Sequence, residues 1–128
     1  CIGMQILADK GYENGETQGL GFIPGKVRPL VDIANLADLK IPHMGWNNVN
    51  VSSNYKGLFD LEKFSGKDFY FVHSYYFSCK NQQDIVAKAS YGVDFPAIIA
   101  RENIIATQFH PEKSGNNGLE FLEEFLNL

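Results

Sequence analysis

The sequence predicts a mixed α/β domain rich in strands. Three observations carry that prediction: the stretch DFYFVHSYYF is aromatic and β-branched almost throughout, the segment PAIIARENIIATQF places two apolar runs around a polar pair, and the last eleven residues repeat apolar positions at helical spacing.

Taken in order, Ile2, Ile6 and Leu7 fall at helical spacing within Ile2 to Lys10, and the loop of Gly, Glu and Asn that follows stops any helix. Cys1 is thereby the residue just before a helix. Leu20 to Leu30 carry Gly21, Pro24, Gly25 and Pro29 and so suit short extended pieces and turns. Asp32 to Lys40 reads as one helical turn or a loop. IPHMGWNNVNV alternates weakly, as a half-exposed strand does, with Gly45 allowing a bend. DFYFVHSYYF is expected to be a buried strand, DIVAKASYG a further one, and PAIIARENIIATQF two more split by a turn at Glu102 and Asn103. From Gly118 to Leu128 a helix should bury Leu119, Leu122, Phe125 and Leu126 and turn Glu120, Glu123 and Glu124 outward.

Composition narrows the function. A chain of 128 residues with 45% hydrophobic content suits one domain or part of one. A formal net charge of -4 and a pI near 5.3 argue against a nucleic-acid partner, which would concentrate Lys and Arg on one face. No apolar run reaches membrane-span length and no secretory signal opens the chain, so a cytoplasmic location without a membrane partner is expected. Cys1 and Cys79 are too few for a disulfide scaffold and should remain thiols. No metal is expected: His43 and His73 lie far apart in the chain, without Cys or carboxylate at a zinc spacing. No cofactor is expected either, since a glycine-rich phosphate loop is also missing.

The candidate chemical residues are Cys1, His43, His73, His110 and Glu112. A cysteine with a distant His and acid can form a nucleophilic triad, in which His takes the thiol proton and the acid orients the imidazole. The spacing HPE puts His110 and Glu112 on one side of an extended segment, and Pro111 stiffens it. A thiol at a helix amino terminus feels the partial positive charge of the helix, and Gly3 leaves room beside it. Against this stand plainer roles: cysteine as a small buried residue, His43 and His73 as hydrogen-bonded strand residues, Cys79 as packing.

CIGMQ, GLGFIPGKV, IPHMGWN, YFVHSYY and QFHPEKSG, in that order, resemble the class I (triad-type) glutamine amidotransferases and, more narrowly, the glutaminase subunit of imidazole glycerol phosphate synthase. The resemblance runs from Cys1 to Leu128. It implies a flavodoxin-like mixed sheet, with Cys1 as nucleophile, His110 as general base and Glu112 as its orienting acid. It further implies that Gln5, Ser74 and Tyr75 hold the substrate L-glutamine and that the N–H of Ile2 donates to the oxyanion. The implied partner is a (β/α)₈-barrel cyclase that receives the ammonia, with Met44, Trp46 and Lys113 at the docking face.

In that family the cysteine follows a central strand, and a glycine-containing loop on an earlier strand gives the second oxyanion donor. Neither is present here, so residues 1–128 are expected to be the carboxy-terminal part of an amidotransferase domain, beginning at the nucleophile. DFYFVHSYYF and PAIIA would then lack strand partners and expose apolar surface, leaving the chain alone poorly stable and nearly inactive. Three alternatives differ in chemistry. An amino-terminal-nucleophile amidotransferase would use the α-amino group of Cys1 as base and would tolerate His110→Ala. A relative serving a surface-sugar pathway would keep the glutaminase and change the ammonia acceptor. A degenerate binding module would not be labelled at Cys1 by a glutamine-analogue electrophile.

Overall fold

The computed structural model describes residues 1–34 and 38–128; the segment expected to be a helical turn or loop, Asp32 to Lys40, lies partly outside them. Cys1 caps a one-turn helix α1 (Ile2–Gln5). Strands β1 (Lys10–Gly11), β2 (Thr17–Gln18) and β3 (Gly25–Pro29) follow, then β4 (His43–Asn48) and β5 (Asn50–Val51). The second half holds β6 (Asp68–His73), β7 (Tyr75–Cys79), β8 (Ile85–Ser90), β9 (Asp94–Arg101) and β10 (Ile104–Thr107), and ends in helix α2 (Gly115–Leu126). These strands form two four-stranded sheets, ordered β2-β1-β3-β7 and β10-β9-β8-β5, and a two-stranded sheet β4-β6. Among the described residues every pairing is antiparallel except β1 with β3. The mixed α/β class is as the sequence predicts.

Several expectations need correcting. The first helix stops at Gln5 instead of running toward Lys10, because Lys10 and Gly11 are taken into the ladder with β2 and β3. Its buried residue is Met4, with Ala8 buried just beyond it, while Ile2 in the helix and Ile6 after it are exposed. DFYFVHSYYF is two strands in two sheets, not one: the chain bends at Ser74, whose carbonyl accepts from Leu30 N–H at 2.9 Å. Neither half lacks a partner, since β6 pairs with β4 and β7 with β3, and PAIIA lies in β9 between β8 and β10. Exposed apolar surface is nonetheless present at Ile2, Ile6, Leu20 and Phe22. The turn at Glu102 is as expected, with Glu102 at φ 54°.

The last helix begins three residues earlier than Gly118 and buries a different face. Gly118 and Phe121 are its buried residues, whereas Leu119, Phe125 and Leu126 are exposed. Two of its glutamates do not simply face water: Glu120 pairs with Lys67 Nζ at 2.7 Å and Glu124 with Lys63. Phe121 is buried edge-on against Phe64, Phe69 and Phe109, at centroid distances of 5.3, 6.3 and 5.5 Å. Phe109 in turn stacks on Phe69 at 4.2 Å and meets Phe71 edge-on. This aromatic cluster fixes the chain on the residue before His110. Gly118 completes the fixation, because a Cβ there would fall 1.8 Å from the Pro111 carbonyl oxygen.

Candidate active site

The carboxy-terminal side of the site is held by short polar contacts. His110 N–H donates to the carbonyl of Tyr70 at 2.9 Å, tying the loop after β10 to β6. Ser114 hydroxyl donates to the His110 carbonyl at 2.6 Å and accepts from Tyr70 N–H at 2.9 Å. With the backbone so fixed, His110 Nδ1 lies 2.8 Å from Glu112 Oε1. The Pro111–Lys113 turn places that carboxylate two residues on from the ring. Partial burial works to raise the Glu112 carboxyl, but the hydrogen bond from His110 and the nearby charge outweigh it and hold the group below its ordinary value. An ionised acceptor at Nδ1 leaves Nε2 as the reactive nitrogen of the ring.

Cys1 reaches the same region through the backbone. Its nitrogen donates to the carbonyl of Gln108, two residues before His110, at 2.9 Å. Its Sγ lies 3.6 Å from where a Cβ on Gly3 would stand, so Gly3 keeps the thiol side of the turn open. Ile2 opens α1, where an N–H has no acceptor within the helix.

Gln5 joins the two halves. Its Nε2 donates to the carbonyl of Tyr75 at 3.4 Å and to Gln108 Oε1 at 3.3 Å. The Tyr75 carbonyl can only accept, which settles which end of the Gln5 amide is nitrogen and makes the facing atom of Gln108 the oxygen. Gln108 is fully buried, and among the described residues its Nε2 is the one buried side-chain nitrogen or oxygen with no partner. Sequence reasoning missed Gln108 as a site residue. The available signal was an amide directly after the apolar run of β10, inside QFHPEKSG.

Cys1 and Gln5 are thus bonded to Gln108 and Gln5 to the Tyr75 carbonyl, and the His110–Glu112 pair follows Gln108 on the same loop. Ser74 stands at the bend beside them, its carbonyl already taken by Leu30. Ile2 is 76% exposed. Met44 and Trp46 project from the exposed side of β4, and Trp46 is 57% exposed. The indole meets Tyr70 edge-on and lies over Gly115, two residues beyond the exposed Lys113. His43 and His73, distant in sequence, are register partners within hydrogen-bond distance, Nδ1 to Nε2, at 2.9 Å. Cys79 is buried at the end of β7, and burial pushes its thiol up to about 12. No helix among the described residues is long and apolar enough to cross a membrane.

A family model described as "Glutamine amidotransferase class-I" matches residues 1–128. Among curated proteins, imidazole glycerol phosphate synthase subunit HisH 2 of Nitrobacter winogradskyi is 46% identical over 98% of this chain and 60% of its own length. Subunit HisH 1 of Campylobacter jejuni is 47% identical over 100% of this chain and 61% of its own length. The HisH subunit of Archaeoglobus fulgidus is 43% identical over 100% and 61% respectively. The chain spans about three fifths of the length of these relatives.

Proposed function

This chain belongs to the class-I glutamine amidotransferase family, and from that premise we propose that it carries the nucleophile, base and acid of a glutaminase. That membership also sets aside the amino-terminal-nucleophile alternative. The observation that carries the proposal is the His110–Glu112 pair, held at 2.8 Å on a loop whose Gln108 carbonyl also anchors Cys1. Cys1 thiolate attacks the side-chain carboxamide of L-glutamine, and His110 Nε2 gives its proton to the departing ammonia. The glutamyl thioester is then hydrolysed by water that His110 deprotonates. Ile2 N–H donates to the oxyanion of each tetrahedral intermediate. Gln5, with the Ser74–Tyr75 bend beside it, holds the glutamine.

Free ammonia becomes ammonium near neutral pH and is then a poor nucleophile, so the product must pass directly to an acceptor. The similarity to imidazole glycerol phosphate synthase subunits supports a (β/α)₈-barrel cyclase of cytoplasmic histidine biosynthesis as that acceptor. Met44, Trp46 and Lys113 form the docking face.

The chemistry is tested by incubating the natural gene product with a diazo-ketone analogue of glutamine and locating the adduct by peptide mass. Modification of Cys1 that glutamine protects against, and that is lost in His110→Ala, is expected; labelling elsewhere or none refutes the glutaminase. For the docking face, Trp46→Ala with an intact fold should weaken binding to the cyclase by about 2 kcal/mol or more, as at a hot spot. Unchanged affinity removes Trp46 from the interface.

A further inference from the structure

Two buried histidines stand behind this site, and glutamine hydrolysis as described above uses neither. His43 on β4 and His73 at the end of β6 are packed among Phe71, Tyr91 and Phe95. The direction of the bond between them can be worked out from its two ends. His73 Nδ1 lies 2.7 Å from the carbonyl of Tyr75, which can only accept, so Nδ1 carries the proton. Burial drives His73 down to about 3 and His43 down to about 4, so both rings are neutral at physiological pH. His73 Nε2 is therefore bare and accepts, and His43 Nδ1, 2.9 Å away, must be the donor. That leaves His43 Nε2 bare in turn. Asn47 Nδ2 reaches it at 3.4 Å and also donates to the carbonyl of Ser90 at 2.7 Å.

Every bond in this chain points the same way, from Asn47 through both imidazoles to the Tyr75 carbonyl. That carbonyl is open to side chains for a reason of topology. β7 is the edge strand of its sheet, and the Ser74 carbonyl faces inward to Leu30 N–H. Carbonyls alternate in direction along an extended chain, so the next one, of Tyr75, faces away from β3. Its two lone pairs are then filled by His73 Nδ1–H and by Gln5 Nε2–H. The remaining Gln5 hydrogen goes to Gln108 Oε1.

We infer that His43 and His73 are positioning residues: as a one-way relay in which both rings carry the proton on Nδ1, they hold the Tyr75 carbonyl and through it the Gln5 amide. The relay also ties the glutamine site to β4, whose other side bears Met44 and Trp46. Its consequence for glutamine rests on the glutaminase reading; the proton positions do not.

The first arm of the test is long-range ¹⁵N–¹H correlation NMR of the histidine rings in the labelled chain at neutral pH. Protonated Nδ1 and bare Nε2 are expected at both His43 and His73. An Nε2–H tautomer or a charged ring at either one overturns the relay, whatever the protein's activity. The second arm measures glutamate release by the natural gene product. His73→Leu should raise the glutamine concentration for half-saturation about tenfold, the equivalent of one lost hydrogen bond, with kcat within about threefold. His73→Asn, which keeps a donor near the Nδ1 position, should recover most of that loss. Half-saturation unchanged in both variants overturns the positioning role. A wild-type protein that does not hydrolyse glutamine, with the tautomers as stated, refutes the glutaminase and the positioning role together while supporting the relay.

Discussion

Replacing Glu112 by Gln tests how much the orienting carboxylate contributes. The substitution keeps an oxygen that can accept from His110 Nδ1 at the present 2.8 Å and removes the charge. When His110 becomes an imidazolium in the transition state, a carboxylate at about 4 Å is worth roughly 1 kcal/mol if water screens it and about 4 kcal/mol at an effective dielectric constant of 20. The Glu112 side chain is 60% exposed, which puts it near the screened end. About 1.5 kcal/mol follows, or about a tenfold loss in kcat. Glu112→Ala also removes the acceptor and should lose about tenfold more. In a buried triad the corresponding acid-to-amide change costs about 10⁴-fold, so exposure is what the measurement weighs. The assay is glutamate release from saturating glutamine by the natural gene product, at low and at roughly 0.5 M salt. Because the carboxyl of Glu112 is held below its ordinary value, the contribution of its carboxylate is fully present above the ordinary carboxylate range and is lost as pH falls through that lowered value. A loss in Glu112→Gln near 10⁴-fold, or one within twofold of wild type, would refute the reasoning.

Three further changes probe the frame. Gln108→Leu removes a buried donor that has no partner but also the acceptor of Gln5 Nε2, so the two effects offset and stability in urea titration should change by less than about 1 kcal/mol, while half-saturation by glutamine rises. Gly118→Ala forces a Cβ against the Pro111 carbonyl and should cost about 1–3 kcal/mol in the same titration, with a lower kcat because the HPEK turn moves. Arg101→Ala leaves the buried Asp84 carboxylate, now 3.0 Å from the guanidinium, without its partner. The half-exposed arginine lets water reach the gap, so the loss should be about 1–3 kcal/mol, below that of a fully buried pair, with glutamine hydrolysis unchanged.

The class of fold was legible because strand and helix periodicities are strong in the second half, from DIVAKAS to the carboxy-terminal helix. What was not legible came from tertiary contacts. Nothing local distinguishes Leu119 from Phe121 as the buried residue of α2; the choice is made by Phe64, Phe69 and Phe109, which offer a ring-sized site where Phe121 lies. The break at Ser74 was hidden because every neighbour favours a strand, yet the His73 ring bonds the Tyr75 carbonyl two residues on and the Ser74 carbonyl is taken by the distant Leu30 N–H, so that the ladder is not continuous. Of the candidate site, Cys1, His110 and Glu112 were proposed from residue type and motif order. Gln108 and the histidine pair were not, since their roles exist only where Tyr75, Gln5 and Cys1 converge.

That convergence also explains why the polar residues sit where packing alone would not put them. A fully buried amide with an unpartnered nitrogen costs about 1–3 kcal/mol, and two neutral histidines inside an aromatic cluster displace side chains that would pack without polar atoms. His73 bonds the Tyr75 carbonyl and His43 reaches it through His73, while Gln108 bonds the Gln5 side chain that the same carbonyl holds. Local rules tend to be broken where a site needs fixed donors and acceptors, with the surrounding structure supplying the compensation. Here the compensation is the stacked Phe69–Phe109 pair and Gly118, which fix the backbone at His110 and leave the side chains of the site to be set by hydrogen bonds.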